Sequence, residues 1–210
     1  MKRVIFYIDG FNFYYGLRDK CKESREWKAF YWLDFVAFSK QFVADEQELV
    51  KVKYFTAAPL NVGKRSRQAA LLSANKLLNP AVFEIIRGKY YSKNTSCHLC
   101  KGVFQTFEEK RTDVNISIHM LLDCFHNSVD KLVLITADSD LITTVQTIKT
   151  HFPEKEIKIY FPPKRTSYEL FDVCKPVVYL ENNKKKFENA VMNNVVTDGI
   201  KKYTKPPEWK

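Results

Sequence analysis

Two aspartates, Asp138 and Asp140, sit in the stretch TADSDL, directly after the apolar run KLVLI. Carboxylates at the end of a buried strand are costly unless something pairs with them. Asp9 closes a second apolar run, VIFYID, just before Gly10. Asp113 opens the stretch TDVNISIHMLLDCF, which comes shortly before KLVLI. If the fold gathers these segments, about four negative charges fall within roughly ten ångströms, where ionised carboxylates raise one another's pKa. A hard divalent cation, Mg²⁺ or Mn²⁺, relieves that repulsion through oxygen ligands and retained waters. A cation held this way can polarise a phosphodiester and lower the pKa of a bound water for in-line attack. Asn12 adds an amide three residues after Asp9, able to hold a neighbouring ligand or water. Thr136 and Ser139 add hydroxyls around the DxD pair. Taken singly, each aspartate has a plainer reading as a strand-ending turn or a helix cap. Asp123, about 15 Å further along the helix of Asp113 by helical rise, reads as solvated or locally paired.

The elements that must position these carboxylates follow from periodicity. Strands are expected at RVIFYI (3–8), VKVKYFTAA (50–58), VFEIIRG (82–88), KLVLITA (131–137), EIKIYFPP (156–163) and VVYL (177–180). Helices are expected after residue 10, over 31–43, 62–79 and 112–125, over DLITTVQTIKT, and over SYELFDVC. Thr112 is placed to N-cap the helix that Asp113 opens. Residues 89–111 are polar and read as irregular. Strands alternating with helices imply an α/β fold, with a mostly parallel central sheet and helices on both faces. Ligands in such sheets bind beyond the carboxyl ends of the strands, where the strand order reverses. A domain over residues 1–181 is expected, with 182–210 as a polar C-terminal extension, partly docked or flexible.

The 210 residues are 45% hydrophobic, enough to fill one core, and carry a formal net charge of +10, which suits a polyanionic partner. No apolar run reaches the eighteen residues that suggest a membrane span. The apolar stretch after the N-terminal basic pair stops at Asp9, too early for a secretory leader. With five cysteines, an odd count, and no secretion signal, reduced thiols in the cytoplasm are expected. Basic clusters fall near predicted strand ends: Lys64, Arg65 and Arg67; Arg87 and Lys89 beside Tyr90; Lys110 and Arg111; Lys164 and Arg165. Cations interleaved with aromatics suit single-stranded nucleic acid, since bases stack on tyrosine. Cys97 and Cys100, in CHLC, supply half of a four-ligand structural zinc site. The remaining ligands would come from Cys21, His98 or a second subunit.

YIDGFNFYYGL, EEKRTDVNISIHMLLD and KLVLITADSDLITTVQ together resemble the NYN domain, in its LabA-like branch, within the PIN-like nuclease superfamily. The resemblance covers most of residues 3–180. It implies a PIN-like Rossmannoid fold and a metal-dependent nuclease site, often directed at RNA. The family's acidic residues fall on Asp9, Asp113, Asp138 and Asp140, and its asparagine on Asn12. Two departures stand out: Ala137 where many relatives carry glycine, and the stretch VNISIH, ending in His119, where relatives commonly carry a further acidic residue. The expected activity is a Mg²⁺- or Mn²⁺-dependent nuclease, RNA favoured over DNA, in a monomer or homo-oligomer. A nucleic-acid-binding or scaffold protein with a weak or inactive site is the alternative. A phosphatase with DxD after its first strand fits less well, because Phe11 occupies the place of the second carboxylate.

Overall fold

The computed structural model describes residues 1–209, the side chains of residues 106 and 108 excepted. β1 (Lys2–Asp9) leads into α1 (Gly10–Glu23); a 3₁₀ segment (Arg25–Tyr31) precedes α2 (Phe35–Lys40), β2 (Gln47–Thr56), α3 (Val62–Leu78) and β3 (Phe83–Arg87). A hairpin of β4 (Lys89–Ser96) and β5 (Val103–Lys110) comes before α4 (Thr112–Phe125) and β6 (Lys131–Ile135). A single 3₁₀ turn (Ser139–Leu141) starts α5 (Ile142–His151), followed by β7 (Glu156–Phe161), α6 (Tyr168–Val173) and β8 (Val178–Tyr179). After α7 (Lys184–Glu188), the chain ends in a small hairpin, β9 (Val195–Thr197) and β10 (Lys202–Thr204), and a 3₁₀ turn at Pro207–Trp209.

Six strands form one sheet in the order β3-β2-β1-β6-β7-β8. Every neighbouring pair in it is parallel. The chain builds outward from β1 through β2 to β3, then returns to the other side of β1 with β6. The strand order therefore reverses between the carboxyl ends of β1 and β6, which is where such sheets bind ligands. Each central strand is apolar on both faces because both are covered. Val4, Phe6 and Ile8 of β1 enter one core with α1, α2 and α3; Ile5 and Tyr7 enter the other with α4, α5 and α6. The uninterrupted run KLVLI divides the same way, Val133 to the first core, Leu132 and Leu134 to the second.

Four readings of the sequence need correction. Residues 31–43 do not form one helix, because Asp34 caps α2: its Oδ1 accepts the Val36 and Ala37 N–H at 2.9 and 3.0 Å. Residues 89–111 are not irregular, since β4 and β5 pair antiparallel from Lys89↔Lys110 to Ser96↔Val103. Thr112 does not cap α4. Arg111 holds that place with a left-handed φ of 83°, and the Thr112 hydroxyl donates to Glu109 instead. Asp123 is not solvated: besides a local bond from Ser128 Oγ to its Oδ1 at 3.2 Å, Tyr7 Oη and Lys53 Nζ both donate from the sheet to its Oδ2 at 2.6 Å. That bond network satisfies a lysine that the second core would otherwise leave as an uncompensated charge.

Residues 180–209 pack against the first core, with Phe187, Met192, Val196 and Trp209 buried in it. Trp209 stacks on Tyr31, centroids 5.6 Å apart. Among the described residues no helix is long and apolar enough to cross a membrane.

Candidate active site

Asp9 is the last residue of β1 and the N-cap of α1, and it is 2% exposed. Its Oδ1 accepts the Phe11 and Asn12 N–H at 3.1 and 3.0 Å. Its Oδ2 accepts Asn12 Nδ2 at 2.7 Å and Thr136 Oγ1 at 2.8 Å. Burial pushes its pKa up, while the Asn12 and Thr136 bonds pull the other way. The residue after it can only be glycine. A Cβ on Gly10 would stand 2.6 Å from both Phe55 O and the Tyr54 ring, because β2 passes directly behind. The DG pair thus follows from the sheet's packing as well as from the turn.

Asp138 follows β6, and its N–H donates to Thr136 Oγ1 at 3.1 Å. Thr136 therefore ties the ends of β1 and β6 together through both aspartates. Asp113 lies in the first turn of α4, where a carboxylate suits the helix dipole. Oxygens of Asp9, Asp113 and Asp138 all lie within 4.8 Å of one another. The Asp113 side chain accepts no hydrogen bond among the described residues. Burial first, then the charges of Asp138, Asp9, Glu109 and Asp140, push its pKa up to about 6. Three carboxylates this close, one of them raised by its neighbours, are a donor set suited to a hard cation.

Asp140 stands apart from that trio. It is exposed, and its backbone N–H donates to Asp138 Oδ1 at 3.0 Å. Ser139 is exposed and its hydroxyl makes no hydrogen bond among the described residues. Asn12 bonds Asp9 directly, so its amide orients a carboxylate. His119 lies 3.4 Å from Lys53, in the buried network with Asp123, and is pushed down in pKa by burial and that lysine. Glu109 escaped the sequence reading: it sits beside Thr112 and adds its charge to Asp113. The signal was its place in EEKRTD, on a strand whose polar alternation hides it.

The basic residues divide into two groups. Lys64, Arg87 and Lys89 are exposed, and none makes an ion pair among the described residues. Arg111 donates to the Tyr91 hydroxyl and lies 5.5 Å over its ring. Others are engaged internally: Arg67 with Glu208 at 2.7 Å, Lys164 with Glu23 at 2.8 Å, and Arg165 with Asp19 at 2.6 Å. Arg65 donates to the carbonyls of Pro59 and Leu60, bracing the loop before α3. Tyr90 turns toward the site, edge-on to Phe11 at 6.1 Å. Cys97 and Cys100 lie at the tip of the β4–β5 hairpin. N–H groups of Cys100 and Leu99 donate to the Cys97 sulfur and pull its pKa down. Among the described residues the only group of three or more metal-ligating side chains is Asp9, Asp113 and Asp138, so the two cysteines have no third ligand there.

A parallel sheet covered on both faces, with three carboxylates at the point where its strand order reverses, defines an α/β protein of the Rossmann-like kind. The sequence model of the NYN domain matches residues 3–181, and the chain belongs to the NYN domain family, in the PIN-like nuclease superfamily. It is 28% identical over 182 residues to 6-hydroxy-3-succinoylpyridine 3-monooxygenase of Pseudomonas putida, covering 71% of this chain and 56% of that protein. The chain thus spans about half the length of this relative. A crystal structure of a protein of unknown function from Vibrio parahaemolyticus shares the fold, with a TM-score of 0.51 at 20% identity over 84% of this chain and 91% of the other.

Proposed function

We propose that this protein is a divalent-cation-dependent nuclease that hydrolyses phosphodiester bonds in single-stranded RNA. The observation that carries this reading is the trio Asp9, Asp113 and Asp138, with oxygens within 4.8 Å at the switch point of an NYN domain. The trio fits Mg²⁺ or Mn²⁺, because all three ligands are hard carboxylate oxygens and the Asp113 side chain accepts no hydrogen bond among the described residues. Such a cation, when bound, neutralises charge on the scissile phosphate and acidifies a water. Thr136 and Asn12 hold Asp9 in one orientation. Asp140 braces Asp138 through its backbone N–H and adds negative charge at the rim. Lys64, Arg87 and Lys89, without an ion pair among the described residues, supply cations for the phosphate backbone, and Arg111 and Lys110 approach from the start of α4. Tyr90 offers a stacking face beside the carboxylates.

One observation favours a second reading, a nucleic-acid-binding protein with an inactive site. Asp9 already accepts four hydrogen bonds, which fills the lone-pair positions of a carboxylate. In that reading Asp9 serves α1 and the β1–β6 junction alone.

Cleavage of labelled single-stranded RNA, structured RNA and single-stranded DNA, with Mn²⁺, Mg²⁺ or EDTA, separates the two. Cation-dependent cutting of single-stranded RNA that Asp9→Asn abolishes, with RNA binding retained, is the expected result. Tight RNA binding with no cutting under any cation selects the second reading. A structural zinc at Cys97 and Cys100 would draw its other ligands from a second chain, so zinc content and oligomeric state should be measured on the same sample.

A further inference from the structure

Beside the carboxylates lies a second feature, an aromatic cavity of about 210 Å³. It opens at Gly10, the residue after Asp9, and Tyr15, Tyr31, Tyr54, Tyr90 and Trp209 form its walls. We infer that this cavity takes one unstacked nucleobase of a single-stranded chain, with that nucleotide's phosphate toward Lys64. The inference rests on the nuclease reading for its substrate class.

The cavity is smaller than the ~300–1,000 Å³ common for drug-sized ligands, which suits a single ring system. Ring contacts brace its walls. Trp209 holds Tyr31 by stacking, and Phe35 holds Tyr54 with centroids 4.7 Å apart. Tyr54 also forms the partition from the metal-binding trio, since its ring lies against Gly10. A base seated here would therefore stand next to the backbone position at which Asp9 acts.

The Tyr54 hydroxyl and Gln68 Oε1 are among the polar groups of the cavity without a hydrogen-bond partner in the described residues. Tyr54 is 4% exposed, and among the described residues its hydroxyl makes no hydrogen bond. Gln68 spends its amide nitrogen on Thr56 Oγ1 at 2.9 Å and Ala57 O at 3.3 Å. Because Ala57 O can only accept, the nitrogen must face it, and the Gln68 Oε1 is left for a ligand. Every nucleobase offers an N–H on its Watson–Crick edge to such an acceptor, so the pocket requires a base without selecting one strictly. At the rim stand exposed Lys64 and the first turn of α3, which suit a phosphate. A paired base could reach this position only by leaving its stack. Unpaired RNA is therefore the form that fits.

The test is calorimetric titration of metal-free protein, in EDTA, with the four ribonucleoside 5′-monophosphates and with ribose 5-phosphate as the base-free control. At least one mononucleotide should bind about tenfold or more tighter than ribose 5-phosphate. Tyr90→Ala and Gln68→Leu should each remove most of that difference while leaving ribose 5-phosphate affinity unchanged. The inference is overturned if the base-free sugar phosphate binds as tightly as every mononucleotide. It is equally overturned if both variants, folded by circular dichroism, keep wild-type preference for the base. The wild-type comparison stands even if a variant fails to fold. EDTA keeps cleavage out of the measurement, so the two readings fail separately. Base-dependent binding without RNA cleavage under any cation would end the nuclease reading and keep the pocket. RNA cleavage with base-independent binding would end the pocket alone.

Discussion

Asp113 is the residue whose chemistry depends most on its neighbours. Its ordinary pKa is 3.8, and burial with four nearby carboxylates pushes it up to about 6. Between those values the folded, metal-free protein holds a proton that the unfolded chain has released. The stabilising contribution is fully present below about pH 3.8 and is lost as pH rises through about 6. Asp113→Asn should flatten that slope and stabilise the metal-free protein at pH 7 by on the order of 1 kcal/mol, after discount for partial exposure. Urea melts in EDTA from pH 4 to pH 7.5 would show it, and parallel curves for the two proteins would refute the assignment. Adding Mn²⁺ at about 100 times its Kd should stabilise the wild type by roughly 2.7 kcal/mol and the variant far less. The other carboxylates should rank by position. Asp9→Asn and Asp138→Asn should each lower RNA cleavage more than ~100-fold. Asp140→Asn and Thr136→Val, which act through their neighbours, should fall in the ~10–100-fold range usual for groups that support a ligand. Equal losses for Asp140 and Asp138 would place Asp140 among the ligands after all.

The hairpin β4–β5 is the element that separates this site from a bare sheet edge. It pairs only with itself, in its own two-stranded sheet. Its ends, Lys89 and Lys110, are register partners, so about 5 Å separates their Cα atoms. Replacing residues 89–110 with two glycines should leave the six-stranded sheet folded by circular dichroism. Single-stranded RNA binding by the Asp9→Asn protein should fall about tenfold or more with the loss of Tyr90 and Lys89. Unchanged affinity would remove the hairpin from the interface. The same hairpin marks where the sequence stops being legible. The parallel strands could be read because burial on both faces makes them continuous apolar runs, as in KLVLI. The helix Thr112–Phe125 could be read because its apolar spacing repeats along its whole length. KYYSKNTS has polar and aromatic residues on both faces and buries neither, so no period of two emerges. Asp34 misled in the opposite way, since an N-cap inside an apolar helical pattern looks like one more exposed position. Asp9, Thr136 and Asp138 could be picked out because each directly adjoins a strand, but the bond from Thr136 to Asp9 depends on β1 pairing with β6 and could not be read. Nor could Glu109 and the aromatic cavity, because they depend on which loops and rings the fold brings beside that edge.

At the scale of the whole molecule, the formal charge of +10 counts cations that the fold spends unequally. Lys164, Arg165 and Arg67 face carboxylates at 2.6–2.8 Å, and neutralising a phosphate would mean breaking those pairs. Exposed ion pairs are weak, about 0–1 kcal/mol each, but each one still returns a carboxylate to face the incoming phosphate. Among the described residues Lys64, Arg87 and Lys89 carry no such partner; Lys64 lines the cavity, and Arg87 and Lys89 flank the start of the hairpin. If these cations and Arg111 meet about four phosphates of a single strand, log K should fall against log salt with a slope of about −3. Fluorescence anisotropy with Asp9→Asn protein in EDTA, across a potassium chloride series, measures that slope without cleavage. Lys64→Ala should reduce it by about 0.7, the contribution of one phosphate on a single strand. Arg165→Ala should leave it unchanged, because its charge is already answered by Asp19. If both substitutions change the slope equally, the ion pair with α1 opens on binding and the interface extends along β7 to Lys164. If neither does, the nucleic acid approaches from the hairpin side alone, with Arg87, Lys89 and Arg111 carrying the phosphates.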